Sequence, residues 1–228
     1  MTAIEAAGFA QRLRRETAQA HSDTENAQFV TELLAGRLTR QGYAALLAQS
    51  WFVYETLERV GRSHAGDPIA GPFLDDALLR TPALEADLTF LLGPRWRETI
   101  APLPATERYV ARLEQVAAVR PEVFLAHHYL RYLGDLSGGQ IIRRLLERAY
   151  GLDRDGLRFY IFDDIPHPKP FKDAYRAKLD AAPLDEGRRR TVIDEANLVF
   201  GLNADLFADL FADLAADLDR YRTTSALP

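Results

Sequence analysis

His127-His-Tyr-Leu-Arg-Tyr-Leu-Gly-Asp-Leu-Ser-Gly-Gly-Gln140 is the stretch on which the reading of this sequence turns. It lies inside a pattern of apolar residues spaced three and four apart that continues through Ile141, Ile142, Leu145 and Leu146, the spacing of a helix. Glycines inside a helix each disfavour it by ~1 kcal/mol relative to alanine, so some contact must offset Gly134, Gly138 and Gly139. Gly134 and Gly138 are four apart and share one face. A face without side chains lets another body approach the backbone, and it also lets a helix bend. That body is either a neighbouring helix or a flat ligand. A bound phosphate does not fit, because the Gly-Lys-Ser/Thr ending of a phosphate loop is missing and no strand precedes the segment. Arg131 and Asp135, at i and i+4, are spaced to interact beside the bare face and give it the character of a prepared polar pocket.

Working outward, the same helical periodicity recurs almost everywhere and strand signals are nearly absent, which makes the fold all-α. Helices are expected over 5–21, 23–35, 40–61, 72–79, 82–92, 105–119, 121–150, 169–180 and 184–221. Gly36, Gly66-Asp67-Pro68, Gly93-Pro94, Pro102-Leu103-Pro104 and the Pro166–Pro170 run separate them. Thr39, Thr81 and Asp185 read as caps or first-turn residues. In the last helix Leu206, Leu210, Leu214 and Leu218 recur every four residues, a stripe that buries one face and leaves the Asp205–Asp213 face in water. No linker or longer repeat divides the 228 residues, so one domain is expected, with a core over about 5–214 and a C-terminal extension over 215–228.

Composition narrows the chemistry. The chain has no cysteine, which removes disulfides, thiolate zinc sites and cysteine nucleophiles. A net charge of −5 argues against nucleic acid as the main partner. The N-terminus lacks the pattern of a signal peptide, and no apolar run is long enough to span a bilayer, so a soluble, cytoplasmic protein with no membrane partner is expected. Lysine occurs only at Lys169, Lys172 and Lys178, every other basic residue being arginine.

A second constellation is Thr17-Ala-Gln-Ala-His-Ser-Asp-Thr-Glu25. His21 and Glu25 stand about 6 Å apart along a helix axis. A metal-bound imidazole commonly gives its other ring proton to such a carboxylate, although an ordinary surface His–Glu pair has the same spacing. Arg14 is two turns before His21, about 10 Å away, where the rim of a porphyrin centred on His21 would lie. Lys172 and Arg176, again i and i+4, offer further positive charge for carboxylates at that rim, or simply a solvated basic face.

Taken together, His21 in Thr17-Ala-Gln-Ala-His-x-x-x-Glu25, the 127–140 segment, and Tyr175-Arg-x-Lys-Leu179 preceded by Phe171-Lys172 resemble the heme oxygenase family, its soluble bacterial members most, over about residues 5–214. The resemblance implies a single-domain multi-helix fold that sandwiches heme between a proximal helix and a kinked distal helix. It implies His21 as the iron ligand with Glu25 as its hydrogen-bonding neighbour. It places Gly134, Gly138 and Gly139 along the oxygen side and makes Asp135 the distal carboxylate that delivers protons through water. Tyr54, Tyr109, Arg131 and Asn203 match the supporting polar network. Arg14, Tyr129, Lys172 and Arg176 match the propionate anchors, and Ser137 belongs to the same cofactor-binding segment. The position of Arg14 is often lysine in the family, and the acidic helix beyond Leu214 is longer than in the shorter bacterial members.

The implied activity is opening of heme b, at once substrate and cofactor, at a meso carbon, with the alpha carbon as the family default. It uses O2 and yields biliverdin, carbon monoxide and ferrous iron. With no dinucleotide fingerprint in the chain, the reductant must be external, a ferredoxin or a flavin reductase. A monomer is the expected state. His127 and His128 read as structural, and His64 and His167 as loop residues. Three alternatives share parts of this pattern. A heme carrier or sensor would use the same pocket without turnover. A thiamin-degrading enzyme of similar architecture needs the cysteine that is missing here. A ferritin-like di-iron protein needs Glu-x-x-His pairs, and none occurs.

Overall fold

A computed structural model of the protein describes residues 8–216, and all regular structure in it is helical. The expected helix over 5–21 is two. Helix α1 spans Phe9–Glu16 and α2 spans Ala18–Glu25. Between them the buried Thr17 turns its hydroxyl back to the Leu13 carbonyl at 2.9 Å, a bond that competes with the helical ladder and bends the chain. Residues Glu5–Ala7 of that expectation lie outside the described residues. Helix α3 spans Gln28–Leu34 and α4 spans Arg40–Ser63, opened by Thr39, whose hydroxyl accepts from Gly42 N–H. The predicted helix over 72–79 is instead two 3-10 turns, Gly71–Phe73 and Asp76–Leu78.

Helix α5 is Thr81–Leu92, with Thr81 as its first residue, and α6 is Pro104–Arg112, running into a π-helical turn over Leu113–Ala117. The long helix expected over 121–150 is broken into α7, Pro121–Asp135, and α8, Gly139–Tyr150. Helix α9 covers Pro168–Ala181 and α10 covers Glu186–Ala216, with the Asp185 carboxylate accepting from Arg188 N–H at its start. The predicted continuation of α10 through Leu218 to Tyr221 lies outside the described residues.

Helix α7 is shared by two apolar clusters. Phe124 and Tyr132 enter the larger one with Tyr54, Tyr109, Trp96 and Leu206. Leu125, Ala126 and Leu133 enter a second with Leu13, Tyr175, Leu179, Val192 and Ile193. Burying each such side chain contributes about 1.5–3 kcal/mol, so α7 is held on both flanks by α4, α6, α9 and α10. The α10 stripe behaves as expected at Leu206, Leu210 and Leu214, all buried. Its acidic face does not simply meet water. Asp209 accepts from the Ala105 backbone N–H at 2.7 Å, capping α6, and Asp205 pairs with Arg108 at 3.2 Å. Among the described residues no helix is long and apolar enough to cross a membrane.

Candidate functional site

Helix α7 stops at Asp135 because its ladder collapses onto one carbonyl. Ser137 and Gly138 N–H both point to the Gly134 oxygen, at 3.1 and 2.8 Å, before the chain restarts as α8. A Cβ added at Gly134 would meet no atom within 4 Å, and one at Gly138 would meet only the Gly134 oxygen, at 3.6 Å. No neighbouring helix therefore fills this bare face. Gly139 behaves differently. Its Cβ would come within 3.2 Å of the Tyr160 ring, so it faces the protein interior and not the open side expected of it. The break at 136–138 rotates the chain and turns Gly139 inward.

Beside this face the fully buried Tyr54 hydroxyl, from α4, donates to the Asp135 carboxylate. Burial pushes the Asp135 pKa up to about 6, against the opposing pull of the Tyr54 hydrogen bond and the charges of Arg131 and Arg80. Arg131 does not pair directly with Asp135, as the i, i+4 spacing anticipated. Its Nε donates instead to the Tyr109 hydroxyl at 3.2 Å, and its guanidinium lies 4.9 Å from the Tyr109 ring centre. Arg131 Nη2 is buried with no partner in the protein, the kind of donor that a bound ligand or ordered water satisfies. Asn203 is buried, but its amide donates to the Val199 carbonyl of its own helix at 2.9 Å and makes no hydrogen bond to Asp135, Tyr54 or Arg131.

His21 and Gly134 stand on helices that both rest on α10 and do not pack extensively on each other. The His21 side chain is 53% exposed, its Nδ1 is 3.4 Å from Glu25 Oε2, and its ring meets Phe200 edge-on at 5.4 Å. This leaves Nε2 without a protein partner, the arrangement an iron-binding imidazole with a carboxylate neighbour requires. A positive rim is built from two helices, α1 with Arg14 and α9 with Lys172 and Arg176. Lys172 Nζ lies 3.1 Å from Ser137 Oγ and 3.4 Å from the Leu136 carbonyl, and Arg176 pairs with Asp173 at 2.9 Å. The Tyr129 hydroxyl has its pKa raised by burial and lowered by Arg176 and Arg14 together, which puts all three within electrostatic reach. Arg14 is exposed and has no carboxylate partner among the described residues.

The sequence reading missed two buried polar clusters behind this site. Glu58 accepts from the Arg80 and Thr81 backbone N–H groups at 2.6 and 3.1 Å and from the Tyr132 hydroxyl at 3.4 Å, tying α4 and α5 to α7. Glu195 takes Arg112 in two bonds and His127 Nε2 at 2.9 Å. Burial works against the Glu195 charge, but Arg112 and His127 hold its pKa down to about 2. His128, its pKa pushed down to about 3 by burial, sits 2.8 Å from the Tyr175 hydroxyl and is structural, as is His127. His64 lies in the turn that follows α4, as expected, but it is not exposed. Its buried ring has Nε2 at 2.7 Å from the Ala117 carbonyl, and His167 lies exposed before α9.

A flat macrocycle with a metal centre and anionic edge fits these residues. An imidazole nitrogen is free, two glycines present backbone where a Cβ would meet no side chain, a buried guanidinium nitrogen lacks a partner, and cations gather at one rim. Comparison with known proteins points the same way. The sequence profile described as heme oxygenase matches residues 7–209. The chain is similar to a heme oxygenase of Rhodella violacea, 40% identical over 87% of this chain and 85% of the relative, and equally to heme oxygenase 1 of Nostoc sp., 40% identical over 87% and 84%. Its structure superposes on heme oxygenase-1 of the cyanobacterium Synechocystis sp., solved in complex with heme, with a TM-score of 0.88 at 37% identity, covering 93% of this chain and 96% of the other.

Proposed function

The chain belongs to the heme oxygenase family, and from that premise we propose how its own residues carry out the oxidative opening of heme. It is an enzyme of heme degradation to biliverdin. Bound in this site, heme supplies the iron at which O2 is reduced and is itself the ring that opens, releasing carbon monoxide and ferrous iron. His21 would hold the iron through Nε2, while Glu25, beside Nδ1, would fix the ring orientation and tautomer. Arg14, Tyr129, Lys172 and Arg176 seat the propionates and so set the rotation of the ring in the pocket.

On the opposite side Gly134 and Gly138 bring bare backbone against the substrate, which limits the directions open to oxygen. Asp135 holds or releases the proton next to that space. Tyr54 keeps its carboxylate in place, and Arg131, braced by Tyr109, keeps the surroundings positive. A carboxylate that acts through water protonates gently. A distal His–Arg pair pointed at the oxygen would drive O–O cleavage instead. Electrons come from an outside donor of the ferredoxin or flavin-reductase type, consistent with the lack of a dinucleotide fingerprint, and the chain works as a cytoplasmic monomer.

The observation that carries this reading is the open space over Gly134 and Gly138 beside the Tyr54–Asp135 pair. A heme carrier needs the space but has no use for a half-buried carboxylate poised near neutrality. Hemin, a reductant and O2 added to the purified protein should bleach the Soret band and produce biliverdin. An intact Soret band under turnover conditions would favour the carrier.

A further inference from the structure

We propose that Lys172 is the cap of the broken distal helix and that its ammonium joins that break to the carboxylate edge of the substrate. In an unbroken helix the Gln140 N–H would donate to the Leu136 carbonyl. Here α8 restarts at Gly139, and no backbone N–H reaches the Leu136 oxygen. A buried or half-buried carbonyl left without a donor is costly, and helix C-termini commonly recruit a lysine to meet it. Lys172, one turn into α9, does so at 3.4 Å and reaches the Ser137 hydroxyl at 3.1 Å. From the other side the Gln140 side chain donates to the Tyr160 carbonyl at 2.8 Å, so the turn over 136–138 is bracketed by two side-chain ties.

An ammonium has three N–H groups, and two are spent on the turn. The third is available to a carboxylate held between Lys172 and Arg176, which lies four residues on along the same helix. Its surroundings, Asp173 excepted, bias Lys172 toward this task. Partial burial and the charge of Arg176 make its own protonated state harder to keep, and a second anion would relieve that. The consequence is a mechanical link. Seating of a propionate orders the same lysine that closes the end of α7, and thereby the backbone next to Gly134 and Gly138. This link rests on the heme reading of the site, but the capping itself does not.

Hydrogen exchange at the amides of Ser137 and Gly138, both bonded to the Gly134 carbonyl, tests both parts, in the wild type and in Lys172→Gln, without ligand and loaded with hemin or with hemin dimethyl ester. Without ligand, Lys172→Gln should exchange about tenfold faster at these amides, the loss expected for one charge-assisted hydrogen bond, with α4 unchanged. Lys172→Arg, which keeps a charged donor, should restore most of the protection. In the wild type hemin should slow the same amides more than its ester, and in Lys172→Gln the two should act alike. If Lys172→Gln does not fold, Ser137→Ala removes one of the two acceptors and should give a smaller acceleration in the same place.

Unchanged exchange at Ser137 and Gly138 in the ligand-free variants overturns the cap. Equal protection by hemin and ester in the wild type overturns the link. Failure of the wild type to develop a Soret band with hemin overturns the heme reading, while the ligand-free comparison still decides the cap.

Discussion

The hydroxyl of Tyr54, sealed inside α4's contact with α7, donates its hydrogen bond to the carboxylate of Asp135 at the point where α7 ends. This pair sets the protonation of the site. With its pKa pushed up to about 6, Asp135 changes charge close to neutral pH. The rate of biliverdin formation should therefore show a limb centred near pH 6. In Tyr54→Phe the hydrogen bond that lowers the Asp135 pKa is gone, so the limb should move to higher pH. Asp135→Asn and Asp135→Ala should take up hemin, show no limb and open little or no ring. Normal biliverdin yield from Asp135→Ala would remove the proton-delivery role.

The same carboxylate and Glu195 should leave opposite marks on stability. The folded pKa of Asp135 lies above the ordinary 3.8, so the folded state binds more protons than the unfolded one between about pH 4 and 6, and stability falls as pH rises through that window. Asp135→Asn should thus be more stable than wild type at pH 8 by up to about 3 kcal/mol, with the gap closing by pH 4. Glu195 is the reverse. Its folded pKa is depressed, so its contribution is full above the ordinary 4.5 and is lost as pH falls toward 2. Glu195→Gln should lose up to about 3 kcal/mol at pH 7 and progressively less below pH 4.5. Urea titrations at pH 4 and 8 read both.

Gly134 and Gly139 look alike in the sequence and should respond differently. Gly134→Ala adds a methyl where nothing lies within 4 Å, and in a helix that gains about 0.5–1 kcal/mol, a rise of a few degrees in Tm. The same methyl intrudes on the substrate's space, so turnover should drop or the site of ring cleavage shift. Gly139→Ala presses on Tyr160 and should cost stability instead. Thermal melts together with pigment analysis of the two variants check this. A Gly134→Ala protein that is destabilised and fully active would show that the open face is misplaced.

The differences between sequence and structure have physical causes. Helices and their major breaks were legible because periodicity, proline and glycine are local signals. The break at Thr17 was not, since it depends on one hydroxyl choosing a carbonyl of its own helix. His21–Glu25 could be read as a pair because both partners lie on one helix. Arg131 and Asp135 have the same spacing yet take partners from elsewhere, Tyr109 on α6 and Tyr54 on α4, and tertiary contacts of this kind leave no trace in spacing. Tyr54, Tyr109 and Asn203 came only through family resemblance, because a tyrosine on an apolar face reads as core. Glu58, Arg80 and Glu195 escaped notice because a buried charge and a surface charge are the same letter.

The central claim is a heme held by one histidine on one side and bare main chain on the other. Titration with hemin, followed by resonance Raman spectroscopy of the ferrous complex, tests it most directly. The wild type should take up one hemin per chain and show an iron–histidine stretch that disappears in His21→Ala. No saturable uptake, or an iron–histidine stretch that persists in His21→Ala, would contradict the account.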